Sequence, residues 1–161
     1  MRILIVTVFL ALAGSLSAAL AHHDGERSAA ANMVVSHAWT VENAANAHAN
    51  AVYLTLENTG AEADRLVGAE VDFARASSFR APVMDEEGNY GMKQVQAIAV
   101  QGGDSITLQP GGAQIVLEDL QGEYRAGDHF HMTLTFEKAG RVEVEVLVED
   151  LDEVDGATPS S

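Results

Sequence analysis

The stretch HFHMTLTFEKAGRVEVEVLVE, running from His129 to Glu149, decides the fold. Val142, Val144, Val146 and Val148 alternate with Glu143, Glu145 and Glu149, a period of two that puts one face of a strand in a core and the other in water. Ahead of the turn Glu137-Lys138-Ala139-Gly140, Met132, Leu134 and Phe136 alternate in the same way with Thr133 and Thr135, so the two runs form an antiparallel hairpin. Short segments of this kind recur outward from it: Val34 to Trp39, Ala49 to Asn58, Arg65 to Val71, Lys93 to Val100, Ser105 to Leu108 and Ala113 to Leu117. Asn58-Thr59-Gly60 and Pro110-Gly111-Gly112 supply turns between them. This rhythm predicts an all-β sandwich or barrel, one domain over residues 33–149.

The flanks read differently. Arg2, the apolar run Ile3 to Gly14 and the small residues of Ala19-Leu20-Ala21 form a secretory leader over residues 1–21, too short for a membrane span and followed by no stop-transfer cluster. The mature protein is expected in the periplasm with no span of its own. Residues 22–32 are polar and alanine-rich and read as a mobile arm, and the acidic, then Thr/Pro/Ser-rich residues 150–161 as a disordered tail. The chain has no cysteine, which excludes disulfides and thiolate metal sites. Nine Lys and Arg stand against 24 Asp and Glu, a formal net charge of −15, which excludes nucleic acid as a partner. There is no Ser/His/Asp signature, nucleophile elbow or P-loop, so hydrolytic and phosphate-binding chemistry find no support.

The strings His37-Ala38-Trp39, Ala51-Val52-Tyr53-Leu54-Thr55-Leu56-Glu57-Asn58-Thr59-Gly60, Pro110-Gly111-Gly112 and Leu134-Thr135-Phe136-Glu137-Lys138-Ala139-Gly140 together resemble the periplasmic copper chaperone family PCuAC over about Val34 to Val148. The resemblance implies a cupredoxin-like Greek-key β-sandwich that carries Cu(I), and in some members Cu(II), toward a copper-requiring membrane oxidase or transporter. The family binds copper through a histidine, a methionine about eleven residues on, and a His-x-Met pair after the Pro-Gly-Gly turn. On that pattern Arg80 stands at the first histidine, Met92 keeps the methionine with one extra loop residue, and Gln114 and Val116 replace His-x-Met. A guanidinium is always cationic, valine has no donor atom and an amide is a poor ligand for soft Cu(I).

Six histidines could supply another site. Cleavage after Ala21 makes His22 the terminus, whose α-amine and Nδ1 close a chelate ring. Cleavage after Ala19 instead leaves Leu20-Ala21-His22, with histidine third, also a Cu(II)-binding arrangement. His129 and His131 alternate with Phe130 and Met132 and so share a strand face, a His-x-His spacing suited to copper or zinc. His48 lies in the polar stretch Glu42 to Asn50 and reads either as a solvated histidine or as a ligand. His37 reads as structural, packed near Trp39. The expected site is a histidine-brace-like Cu(II) centre of His22 with imidazoles from His48, His129 and His131, Cu(I) being the alternative ion. His23 and Met92 rank below these, Met92 because a methionine in a sandwich is more often core. The role expected is copper storage, delivery or sensing, not catalysis. The alternatives are an interaction module that has lost its metal and, less favoured, a copper-dependent oxidative enzyme, for which a chain with one Trp and three Tyr offers no aromatic substrate platform.

Overall fold

The computed structural model describes residues 27–44, 46–84 and 86–150. Both the leader and the histidines at positions 22 and 23 lie outside these residues, as does the tail beyond residue 150. Eleven strands follow one another: β1 (Ser28–Ala30), β2 (Met33–Val41), β3 (Ala49–Asn58), β4 (Asp64–Glu70), β5 (Ala74–Met84), β6 (Tyr90–Val95), β7 (Ile98–Val100), β8 (Ser105–Leu108), β9 (Gln114–Leu120), β10 (His129–Phe136) and β11 (Gly140–Glu149).

Hydrogen bonding is continuous in the order β6-β5-β9-β3-β2-β11-β10-β4-β7, with β1 beside β2 and β8 beside β3. All neighbours are antiparallel except β11 and β2, which run parallel from Leu147 opposite Trp39 to Glu149 opposite Val41. The sheet folds over itself, so Val52, Leu54 and Leu56 of β3 and Ile115 of β9 share one core with Met132, Leu134 and Phe136 of β10 and Val142 to Val146 of β11. This is the all-β sandwich, with no helix among the described residues. Each large side chain buried there contributes about 1.5–3 kcal/mol.

The β10–β11 hairpin forms as its alternation predicts, with Phe136 opposite Gly140 and His129 opposite Leu147. Gly140 takes φ +83°, where a Cβ would be strained. The turn is tied to the start of β4 by Asp64, whose Oδ1 accepts from Lys138 N at 2.9 Å and Arg65 N at 2.7 Å, and whose Oδ2 accepts from Ala139 N at 2.9 Å.

Three parts of the fold depart from the sequence expectation. Residues 28–30, read as part of a mobile arm, form β1 and pair with Met33–Val35 of β2. Ala74–Met84, for which no strand is expected, is the long strand β5 between β9 and β6. The run Lys93 to Val100 divides into β6 and β7, which end up at opposite edges of the sheet.

Candidate functional site

Directly opposed residues in a sheet share a face, so the registers place the four positions of the family's copper pattern. Arg80 of β5 lies opposite Gln114 of β9 and Gln94 of β6, while Ser78 lies opposite Val116 and Pro82 opposite Met92. Arg80, Met92, Gln114 and Val116 therefore lie on the same face of three adjacent strands, away from the core cluster that Phe79 and Ile115 join, although Val116 is itself buried. Tyr53 Oη donates to Gln114 Oε1 at 3.5 Å, and Trp39 packs against Tyr53 with centroids 4.6 Å apart and the rings tilted by 42°. Burial raises the Tyr53 phenol above its ordinary value. The donor set does not fit a copper ion here: the one thioether stands beside a guanidinium, a carboxamide and an isopropyl group.

Met92 is not the core residue that its place in a sandwich suggests, but is 43% exposed. It stands with Met84, 56% exposed, and Tyr90, 76% exposed, on the β5–β6 hairpin, where Met84 is opposite Tyr90. The reason is that β6 is an edge strand whose residues have no second layer over them.

His129 and His131 lie where their alternation predicts, on the outward face of β10, with side chains 48% and 70% exposed. Their inward neighbours are Met132, buried, and Phe130, which packs edge-on against Phe73 at 4.8 Å. The turn before β10 is pinned: Arg125 N donates to Asp128 Oδ2 at 2.9 Å, Asp128 N to Arg125 O at 2.9 Å, and Gly127 N to Val148 O at 2.8 Å. His129 Nδ1 lies 3.3 Å from Glu145 Oε1, and His131 Nδ1 lies 3.8 Å from Glu143 Oε1. Glu145 is directly opposite His131 in the register, but its carboxylate is the one beside His129, so each imidazole has its own glutamate. His131 and Glu143 form part of the wall of a groove of about 700 Å³, together with Glu70, Asp72, Arg75 and Arg141. Arg141 is already engaged by Glu70 at 3.0 Å.

His48 is exposed at the entry to β3, beside the pairing of Ala49 with Glu118. It does not join the β10 pair. His129, Leu147, Trp39 and Tyr53 form one cross-strand row, so Tyr53 is three strands from His129 and His48 five residues further, roughly 20 Å along the sheet. Among the described residues no group of three or more His, Asp or Glu side chains is arranged to hold a metal ion.

His37 is the residue that sequence reasoning passed over. It is exposed, not packed as a structural residue beside Trp39, and takes φ +53° where the β2–β3 register slips between Ser36 and Trp39. Nothing in local composition announces such a bulge.

A two-layer sandwich with this four-position cluster on its outward face is a PCuAC-type domain. The copper-bound PCuAC domain from PmoF2 is 25% identical, with a TM-score of 0.69 over 78% of this chain and 98% of that chain. The apo PCuAC domain from PmoF1 is 24% identical with a TM-score of 0.69, covering 78% of this chain and 99% of that one. The solution structure of apo-DR1885 from Deinococcus radiodurans, at 22% identity and a TM-score of 0.57, covers 93% of this chain and 94% of that chain. Residues 33–148 match the family described as "Putative lipoprotein LpqE-like", and the chain belongs to that family. No curated protein gives a significant match. The 161 residues contain no cysteine and so no thiol to carry a thioether-linked lipid.

Proposed function

We propose that the protein is an exported copper carrier, a divergent PCuAC-type member that binds Cu(II) through nitrogen ligands in place of the family's His/Met site for Cu(I). The observation that carries this reading is the outward His129–His131 pair, with a glutamate beside each ring, on a scaffold where Arg80, Gln114 and Val116 occupy the family's ligand positions. The relative that binds copper in its solved form supports the choice of metal. Export is supported by the leader-like residues 1–21 and by the lipoprotein description of the family.

In this reading the amine and Nδ1 of His22 chelate the ion. His129 and His131, or alternatively His48, supply imidazole, with His23 and Met92 as lesser candidates. Imidazole and amine nitrogens in a tetragonal array suit Cu(II), and the Irving–Williams order favours copper over zinc or nickel there. Copper is the cargo, received and passed on, and the reaction is ligand exchange with a copper-requiring membrane oxidase or a transporter. Carboxylates around His131 raise the local cation concentration.

The test is a Cu(II) titration of the processed protein followed by EPR, repeated with a Gly-Ser extension ahead of His22. The expected result is one nitrogen-rich signal per chain that changes in the extended form. A second reading, an interaction module without metal, is favoured by the exposed Met84, Tyr90 and Met92 on the β5–β6 hairpin. Failure of the native terminus to give a stoichiometric copper signal would move the assignment to that reading.

A further inference from the structure

Strands β4 and β5 each lack a second neighbour near the turn that joins them. β7 pairs with β4 only as far as Leu66, and β6 pairs with β5 only from Phe79 onward. Residues 68–70 and 74–78 are therefore paired along one edge alone, by β10 and β9. Ser77 Oγ bridges the opening by donating to Ala69 O at 2.6 Å. The groove of about 700 Å³ runs along this open side and extends to His131 on β10 and Glu143 on β11. That volume lies in the range of small-molecule sites.

Arg75 stands in the wall of this groove with its guanidinium unused. Arg27, Arg65, Arg125, Lys138 and Arg141 each lie within 3.2 Å of a glutamate. Arg75 makes no ion pair or side-chain hydrogen bond among the described residues, in a chain where carboxylates outnumber cations 24 to nine. A guanidinium presents a planar fork that fits a carboxylate. Asp72 and Glu143, in the same wall, are acceptors for an amine, and His131 adds an imidazole. Among the described residues no three His, Asp or Glu side chains converge on an ion. His129 and His131 therefore leave positions of a tetragonal Cu(II) shell to another ligand.

We infer that this groove binds an α-amino acid by its carboxylate, and that Cu(II) reaches the His129–His131 pair as an amino-acid chelate. The inference rests on the reading above that this pair binds Cu(II), and it names the form in which the ion arrives. The amine nitrogen and one carboxylate oxygen of the amino acid hold the ion, and the other carboxylate oxygen accepts from Arg75. The imidazoles displace a second amino acid from the incoming complex, leaving three nitrogens and one oxygen in a tetragonal array. The exchange is redox-neutral. Copper–imidazole bonds form, the amine and carboxylate bonds of the departing amino acid break, and its amine takes a proton from water.

The test titrates glycine, isotope-labelled at its carboxyl carbon, into the copper-loaded processed protein and follows it by pulsed EPR. Wild type should show coupling to imidazole nitrogen and to the labelled carbon in one complex. Arg75 is exposed and unpaired, so Arg75→Gln should keep the wild-type urea midpoint while binding glycine roughly tenfold more weakly. Arg80→Gln removes a guanidinium outside the groove and should bind glycine as wild type does. Glycinamide, which chelates copper but has no carboxylate, should not distinguish wild type from Arg75→Gln. Imidazole coupling without carbon coupling, or equal glycine affinities in wild type and Arg75→Gln, would overturn the inference and leave the copper reading standing. If wild type shows no imidazole-coupled Cu(II) with or without glycine, the copper reading fails and the inference with it.

Discussion

Asp64 offers the sharpest test of how this sandwich is held closed. Its carboxylate is 5% exposed and accepts three backbone N–H groups, two of them from the turn that joins β10 to β11. Burial alone would raise its pKa, but the N–H groups of Lys138, Ala139 and Arg65 and the charge of Lys138 favour the anion and hold it below the ordinary value. In Asp64→Asn the carboxamide oxygen can keep the Arg65 and Lys138 bonds, but an NH₂ group meets Ala139 N–H. The loss is one charge-assisted bond and an opposed donor pair, about 2–3 kcal/mol. Asp64→Ala strands the turn donors as well and should cost about 3–5 kcal/mol. The pH dependence has a definite sign. A depressed folded-state pKa gives stability that is complete above the unfolded value of about 3.9 and is lost as pH falls through the lower folded value. The gap between wild type and Asp64→Asn should therefore be full at pH 6 and close progressively below about pH 4. Urea titrations at intervals from pH 6 to pH 3 measure it, and effects of other carboxylates such as Glu62 cancel because both proteins carry them. A gap below about 0.5 kcal/mol at pH 6, or one that stays constant down to pH 3, would refute the clamp.

Three further outcomes follow from the same geometry. Trp39, the single tryptophan, is two strands from His129, so Cu(II) at the His129–His131 pair should quench its fluorescence strongly and stoichiometrically; a titration with copper bound and emission unchanged would place the ion elsewhere. Restoring the family pattern with Arg80→His, Gln114→His and Val116→Met beside Met92 should create Cu(I) binding absent from the parent, read by competition with a colorimetric chelator, because the four positions already share one face. Met132→Ala should destabilise by about 2–5 kcal/mol and Met92→Ala by less than about 0.5 kcal/mol, since the first is fully buried and the second is on an open edge; equal urea midpoints would contradict the assigned burial.

The sequence makes some parts of this fold legible and hides others, for physical reasons. Ala49–Asn58, Ser105–Leu108 and His129–Phe136 are strands at the boundaries their patterns predict. The hairpin of β10 and β11 is readable because one face is core and the other water. β5 is not, because Ala74–Met84 sits between two strands with Ser77, Ser78, Arg80 and Pro82 in its run, and only Ser78 and Phe79 are buried. Its identity as a strand comes from the ladders to β6 and β9, which are long-range pairings that no local window contains. The pairing of β1 is hidden for the same reason, its three residues being too short to show a period. The outward placement of His129 and His131 could be foreseen from alternation alone. That of His37 could not, since a register slip breaks the alternation where the residue occurs.

One row of side chains links the family's copper positions to the His129–His131 face. His129, Leu147, Trp39 and Tyr53 line up across the sheet, and Gln114, Arg80 and Gln94 continue the line through the Tyr53–Gln114 contact. The positions differ in charge more than in backbone. A guanidinium about 4 Å from a Cu(I) ion opposes it by about 4 kcal/mol at an effective dielectric constant of 20, a factor of nearly a thousand in affinity, so Arg80 by itself disfavours copper at the family's position. At the other end of the row His129 on β10 is five strands or about 24 Å from Arg80 along the sheet, and Glu143 and Glu145 of the adjacent β11 stand beside the imidazoles instead. Substitutions at outward-facing positions of this kind leave Phe79, Ile115 and Met132 undisturbed beneath them. Substitutions across this face therefore cost the sandwich little stability, while the local charge changes from the Arg80 guanidinium on β5 to the Glu143 and Glu145 carboxylates on β11.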